Sequence, residues 1–273
     1  MKNFKTLAAV MAMVLAFSLV GCGSSESQSE GEKPSESVSE SASESSASEA
    51  EKPAEDAKGE GVMTHADYIA AEMDSEIVVE TYVQAKQSYY AEKGTATLYT
   101  QDNDGAYFLY NAKCTQEEYD KLVPGTKIKA KGFKGEFSGE VEILDAEIEI
   151  LDGSYTAEPI DATELLANEE ELIKHQNELA SFKGLTVEDA TEGEGKAFLY
   201  NYDGSGTQGD DLYFYASSNG NKYKFTVESY LCNKDSDVYK AVEALKVGDV
   251  IDMEGFLYWY EGVNPHITSV TVK

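Results

Sequence analysis

The chain has 273 residues, with 51 acidic against 22 basic side chains and a formal net charge of −29 at pH 7. All 22 basic residues are lysines, so the chain lacks the side chain that makes bidentate contacts to phosphate and guanine. Together with the anionic excess, this argues against a nucleic-acid partner, whose phosphates must be neutralised by cations. It points instead to cations, basic proteins or neutral glycans.

In chain order, the first 22 residues contain no Asp or Glu. Lys2 and Lys5 precede a nearly continuous apolar run from Leu7 to Val20, too short to span a bilayer comfortably and typical of a signal-peptide core. The run ends in Leu19-Val20-Gly21-Cys22, which resembles the lipobox of bacterial lipoproteins. That resemblance implies cleavage before Cys22, diacylation of its thiol, and a lipid-anchored position on the extracytoplasmic face of the cell membrane. Two acyl chains suit stable anchoring; the alternative is an ordinary secretory leader with an incidental cysteine. Residues 23–61 are nearly all Ser, Glu, Ala, Gly, Lys and Pro, with Val38 the only branched aliphatic. Such a segment buries too little apolar surface to offset its conformational entropy. It is expected to be a disordered spacer, stretched by its net charge of −8 beyond the roughly 35 Å of a neutral flexible chain. Of the total charge, −23 remains in residues 62–273.

That remainder contains an internal repeat. Leu122, Gly125, Ile128, Gly132, Phe133 and Gly139 recur as Leu245, Gly248, Ile251, Gly255, Phe256 and Gly262 at a single offset of 123, which defines two modules, 62–153 and 161–273. The first module opens on a Thr64/Asp67 capping-box pattern. A strand signal follows at Ile77 to Val83, then two strand patterns, 95–100 and 106–110, around the turn sequence Asp102-Asn-Asp-Gly105. A helical stretch, Thr115 to Val123, leads to two further strands, 126–137 and 141–150. In the second module the same order reads as a helix after Thr163, a strand at Phe182 to Val187, and a hairpin of 196–201 with 211–215. A helix from Ser236 to Leu245 and strands 249–260 and 266–272 complete it. Lys222 to Glu228 is expected to elaborate the third strand. Three strands, a helix and two strands is the order of a five-stranded OB-fold barrel; the rival immunoglobulin-like sandwich would use about seven strands and no helix. The fold class is therefore mainly β with short helices, as two tandem OB-fold-like barrels. A bulge at Gly132 is expected to turn Phe133 inward, and Gly255 and Phe256 to repeat the device.

Through both repeats, in motifs such as Leu122-Val-Pro-Gly125-Thr-Lys-Ile128 and Gly135-Glu-Phe-Ser-Gly139-Glu-Val141, the chain is similar to tandem OB-like lipoproteins of Gram-positive bacteria. The resemblance implies a fold and a location and brings no catalytic residues.

Little in the residues points to chemistry. His65, His175 and His266 have no second His or Cys at metal-ligand spacing. No Gly-x-Ser-x-Gly and no phosphate-cradling loop occurs. Asp102 and Asp104 read as turn formers rather than part of a calcium loop, and Glu140, Glu142, Asp145, Glu147 and Glu149 as the wet face of a strand. No cofactor or metal is expected, and an enzyme is argued against. Cys114 and Cys232 fall in different modules and read as free thiols, with a disulfide as the alternative. OB-folds bind across strands 2 and 3, between the strand 1–2 and 4–5 loops. Those loops carry Tyr89, Tyr90 and Phe137 in the first module and Tyr258, Trp259 and Tyr260 in the second. These rings are candidate platforms for a sugar face or a protein hot spot; the alternative is that they pack on their own rims or seal the joint between modules. The leading expectation is a non-enzymatic binding or assembly module for an envelope protein or cell-wall glycan. The alternative is single-stranded nucleic-acid binding.

Overall fold

The computed structural model describes residues 58–191 and 193–273; Cys22, the leader and the spacer up to residue 57 lie outside the described residues. A capping box closes the N-terminus of α1 (His65–Ala70), with Thr64 Oγ1 accepting from the Asp67 amide at 3.1 Å. At its other end Lys134 Nζ donates to the carbonyls of Tyr68, Ile69 and Ala71 at 2.7–3.0 Å, a cation placed at the negative end of the helix.

The first barrel comprises β1 (Glu76–Lys86), β2 (Thr95–Gln101), β3 (Ala106–Lys113), α2 (Gln116–Lys121), β4 (Thr126–Phe137) and β5 (Glu140–Ser154). It closes in the order β1-β2-β3-β5-β4, with β3 and β5 parallel and the other pairs antiparallel. Alternation puts Ile77, Val79, Leu98, Leu109, Ile128 and Ile143 inside. The β2–β3 turn is held by Asp102, whose Oδ1 accepts from the Asp104 and Gly105 amides at 2.7 and 3.1 Å while Oδ2 pairs with Lys58 at 2.6 Å.

A short β6 (Ile160–Asp161), α3 (Glu169–Leu172) and two single turns of 3-10 helix lead into β7 (Leu179–Glu188). The cap of α3 is Asn168. The segment between the modules is fixed in place: Ala157 is buried and donates its amide to Gln84 Oε1 at 2.9 Å. Then follow β8 (Phe198–Tyr200), β9 (Leu212–Ser218), β10 (Asn221–Val227), α4 (Asp237–Glu243), β11 (Val250–Phe256) and β12 (His266–Val272). A β7–β9 pairing closes β7-β9-β10-β12-β11 into the second barrel, with β10 and β12 parallel. The OB order thus holds in both modules.

Two expectations are corrected. The central hairpin of the second barrel is β9–β10, so Lys222 to Glu228 supplies strand 3 itself, and Phe198–Tyr200 is an extra strand along β9. The turn is Asn219-Gly220, with φ of +51° and +81°, the pair that two-residue hairpins favour. The expected inward turn of Phe133 does not occur either: Gly132 is buried, Phe133 is 47% exposed and Lys134 is buried. The irregularity lies on the partner strand. Lys131 pairs with Glu147 and Phe133 with Leu144, which leaves the extra residue in β5 near Asp145 at φ +53°, so β4 keeps its alternation. In the second barrel the extra residue likewise sits in β12, opposite the Glu254–Gly255 step.

What both glycines supply is room. A Cβ on Gly132 would stand 2.5 Å from the Leu144 carbonyl oxygen, and one on Gly255 would meet the His266 carbonyl. Gly132→Ala and Gly255→Ala are each expected to cost about 1–3 kcal/mol, lowering the thermal midpoint by roughly 2–12 °C. Unchanged midpoints in thermal unfolding would contradict this account of the repeat.

Candidate ligand-binding cleft

Strands β2 and β3 each have a second face, turned away from the barrel interior. On it Tyr99 and Phe108 meet Phe256, Tyr258 and His266 of the second barrel. Tyr99 stacks on Phe256 with centroids 4.6 Å apart and touches Phe108 edge-on at 5.0 Å; Tyr258 stacks on His266 at 4.1 Å. The Tyr99 hydroxyl is hydrogen-bonded to His266 Nδ1 at 2.6 Å. Burial holds His266 down at about 3, so its ring is neutral.

Beside this joint the outer face of β2–β3 opens into a cleft of about 730 Å³. Thr97, Tyr110 and Phe108 form its floor, Tyr90 and Lys93 come from the β1–β2 loop, and Phe137 from the β4–β5 turn. Glu228, Tyr230 and Tyr258 of the second barrel close the far wall. A second cleft of about 590 Å³ lies over β9–β10, with Tyr202, Tyr213, Lys224 and Tyr260 in its lining. The two share Phe137, Glu228, Tyr258 and His266. Each occupies the strand 2–3 face on which OB-folds hold ligands.

Among the described residues seven aromatic side chains are exposed, and six of them (Tyr90, Tyr110, Phe137, Tyr202, Tyr230 and Tyr260) line these two clefts; Phe133 is the exception. Exposed rings gathered on one surface mark a binding site more strongly than scattered ones. Of the residues singled out in the sequence, Tyr90, Phe137, Tyr258 and Tyr260 come together here. Trp259 is 3% exposed and belongs to the core of the second barrel, so it has no ring face to offer. Tyr89 packs on Tyr119 at 5.3 Å and donates its hydroxyl to the Cys114 carbonyl at 3.2 Å. Cys114 and Cys232 are both free thiols. Tyr110, Tyr202 and Tyr230 join the cleft rings: Tyr110 follows from strand alternation, whereas Tyr202 and Tyr230 sit in loops whose sequence has no periodicity to mark them.

The carboxyls depart most from their sequence reading. Glu140 is buried against the second barrel and Glu142 is buried at the edge of the cleft, rather than wetted. Glu140 Oε2 accepts from the Trp259 amide at 2.9 Å and from Gln176 Nε2 at 3.3 Å, while Glu140 Oε1 and Asn177 Oδ1 are buried without partners. Burial pushes Glu140 up to about 8. Burial also raises Glu142 to about 7, and burial with the nearby Asp211 raises Glu228 to about 7.

A pH dependence follows. The ordinary Glu value is 4.5, so between that and about 8 the folded chain holds protons that the unfolded chain has released. Their contribution to stability is complete below about pH 4.5 and is lost as pH rises through 7 to 8, by up to about 1.4 kcal/mol per pH unit for each group. His266 acts in the opposite sense below 6.5. Between about pH 6.5 and 8.5 the thermal midpoint is therefore expected to fall, and Glu140→Gln, which keeps a donor and an acceptor, to flatten that fall. A pH-independent midpoint in the unsubstituted chain would contradict the buried acids.

No family model matches the chain, and no curated protein matches it. Solved structures do. The tetrameric p202 HIN2 is 11% identical with a TM-score of 0.31, covering 74% of this chain and 96% of that one. A murine DNA-binding protein bound with double-stranded DNA is 9% identical, TM-score 0.34, covering 72% and 94%. A replication protein A heterotrimer bound to single-stranded DNA is 12% identical, TM-score 0.29, covering 72% and 49%. At these values the likeness concerns the arrangement of strands. Those structures include DNA complexes, against the expectation that nucleic acid is an unlikely partner. That expectation rested on the absence of arginine together with formal charge, which counts Glu140, Glu142 and Glu228 as anions although burial draws all three toward the neutral acid.

Proposed function

We propose that this chain is a non-enzymatic tandem OB-fold binding module whose paired clefts take a short single-stranded oligonucleotide. The gathering of six of seven exposed aromatic rings on the two strand 2–3 faces carries this reading. Every base has a flat π-face, and stacking on such rings is worth about 1–3 kcal/mol per base without sequence preference. Lys93 and Lys224 are the cations in the cleft linings, so the phosphates point to solvent and affinity depends on salt with a shallow slope. The leader motif ending at Cys22 supports a lipid-anchored, extracytoplasmic position for the module, which incorporation of labelled palmitate, lost in Cys22→Ser, would test.

Fluorescence anisotropy with labelled oligothymidine of about ten nucleotides, within the usual site size of OB-folds, tests the ligand. Saturable binding at low salt is expected, weakened about 10- to 100-fold by Tyr110→Ala and by Tyr260→Ala in correctly folded protein. No binding at low salt, with a neutral oligosaccharide captured instead, would overturn the oligonucleotide reading in favour of a glycan.

A further inference from the structure

Glu142 and Glu228 both line the larger cleft, and both are more than nine-tenths buried, yet they are held differently. Glu228 is occupied: its two oxygens accept from the Tyr230 and Leu231 amides at 3.1 and 2.8 Å, which fixes the turn after β10. Glu142 has no such task. It stands opposite Phe108 in the β3–β5 pairing, on the outer face shared with Tyr110. Its carboxyl makes no hydrogen bond or ion pair among the described residues, and burial alone accounts for its retention of a proton. The residue is 7% exposed, and what is exposed opens into a cleft floored by rings, where a ligand can pair with the carboxyl.

We propose that Glu142 is the specificity residue of the cleft, forming paired hydrogen bonds with an edge of a nucleobase, one donor beside one acceptor, while the base stacks on Tyr110. The neutral acid offers a donor and an acceptor side by side, which suits such an edge. The ionised form offers acceptors only and leaves the acceptor of the base facing negative charge. The inference rests on the oligonucleotide reading above and adds to it a residue and a proton requirement.

Other titratable groups face Glu142. Glu140 lies two residues away on β5, and Tyr110 comes from β3. Tyr258 and His266 come from β12 and the loop before it, Glu228 closes the opposite wall, and Lys93 reaches in from the β1–β2 loop. Tyr68 of α1 lies behind, close enough to feel both Glu140 and Glu142. Glu140 and Glu228 titrate near the same pH as Glu142, so a pH profile of the unsubstituted chain cannot by itself be assigned to Glu142, and substitutions must make the assignment.

The test uses the full chain and two probes, a mixed-sequence oligonucleotide of about ten nucleotides and free adenosine, each titrated between about pH 6 and 8.5. For the unsubstituted chain, affinity is expected to fall about tenfold across this range as the acid ionises. Glu142→Gln, which keeps a donor and an acceptor at every pH, is expected to bind within about twofold of the pH 6 value throughout and to remove most of the fall. Glu142→Ala is expected to bind about 3- to 10-fold more weakly at pH 6, the worth of one or two hydrogen bonds. Glu228→Gln should leave the slope in place. If the oligonucleotide binds but the Gln and Ala variants match the unsubstituted chain at every pH, the role of Glu142 is overturned and the oligonucleotide reading stands. If adenosine alone binds, with the expected dependence on Glu142, the residue assignment stands and the oligonucleotide reading falls. If neither probe binds, both fall.

Discussion

One ring face against another holds this molecule in its working shape. Phe256 of the second barrel lies on Tyr99 of the first, and Tyr99 in turn reaches His266 through its hydroxyl. Aromatic pairs of this kind add about 0.5–1.5 kcal/mol each beyond the area they bury. The contacts around them all tie one barrel to the other: the Trp259 amide to Glu140, the Leu179 amide to Gln101 Oε1 at 2.8 Å, the Ser88 amide to the Tyr230 carbonyl at 2.8 Å, and the Glu261 amide to the Ser138 carbonyl at 2.8 Å. The joint uses part of the strand 2–3 face of the first barrel against β11, β12 and the loop between them in the second, and both clefts border it. The adjoining clefts are a consequence of where the barrels are fastened.

The same fastening explains the buried Glu140. An OB barrel alone would leave the outer side of β5 in water, and alternation in the sequence correctly puts Glu140 and Glu142 on that outer side. The burial of Glu140 comes from the second barrel, which no local pattern encodes. Trp259 is the converse. Alternation requires that one of Tyr258, Trp259 and Tyr260 point outward, and Tyr260 does, but which ring enters the core depends on how the loop is drawn against Ser138 and Glu140. The repeat, by contrast, was legible because its recurring residues meet demands local to each barrel, above all the two glycines that let a neighbouring carbonyl approach. The second hairpin is masked in the sequence because Lys196 to Asn201 has the aromatic pattern of a strand 2, whereas the Asn219-Gly220 turn sets the hairpin. Phe198–Tyr200 does form a strand, but as an addition at the edge of β9.

Charge offers the same lesson in electrostatic terms. A formal count over the folded part treats every carboxyl as an anion in water, and on that basis a polyanionic ligand looks excluded. Two carboxyls at the clefts, Glu142 and Glu228, are drawn toward the neutral acid by desolvation. The surface as a whole remains strongly anionic and repels phosphate at a distance. On the proposed reading, binding to this cleft comes from short-range stacking and hydrogen bonding rather than from steering. That combination favours short ligands with exposed rings and disfavours duplexes, whose bases are hidden.

The most direct measurement of the central claim, that the joint makes one rigid body of two barrels, is of residual dipolar couplings for backbone amides of β1 to β5 and of β7 to β12 in a weakly aligned sample. A single alignment tensor fitting both sets is expected, and Phe256→Ala should split it into two. Two different tensors for the unsubstituted chain would mean that the barrels move independently, and that the shared cleft is not a standing feature of the molecule.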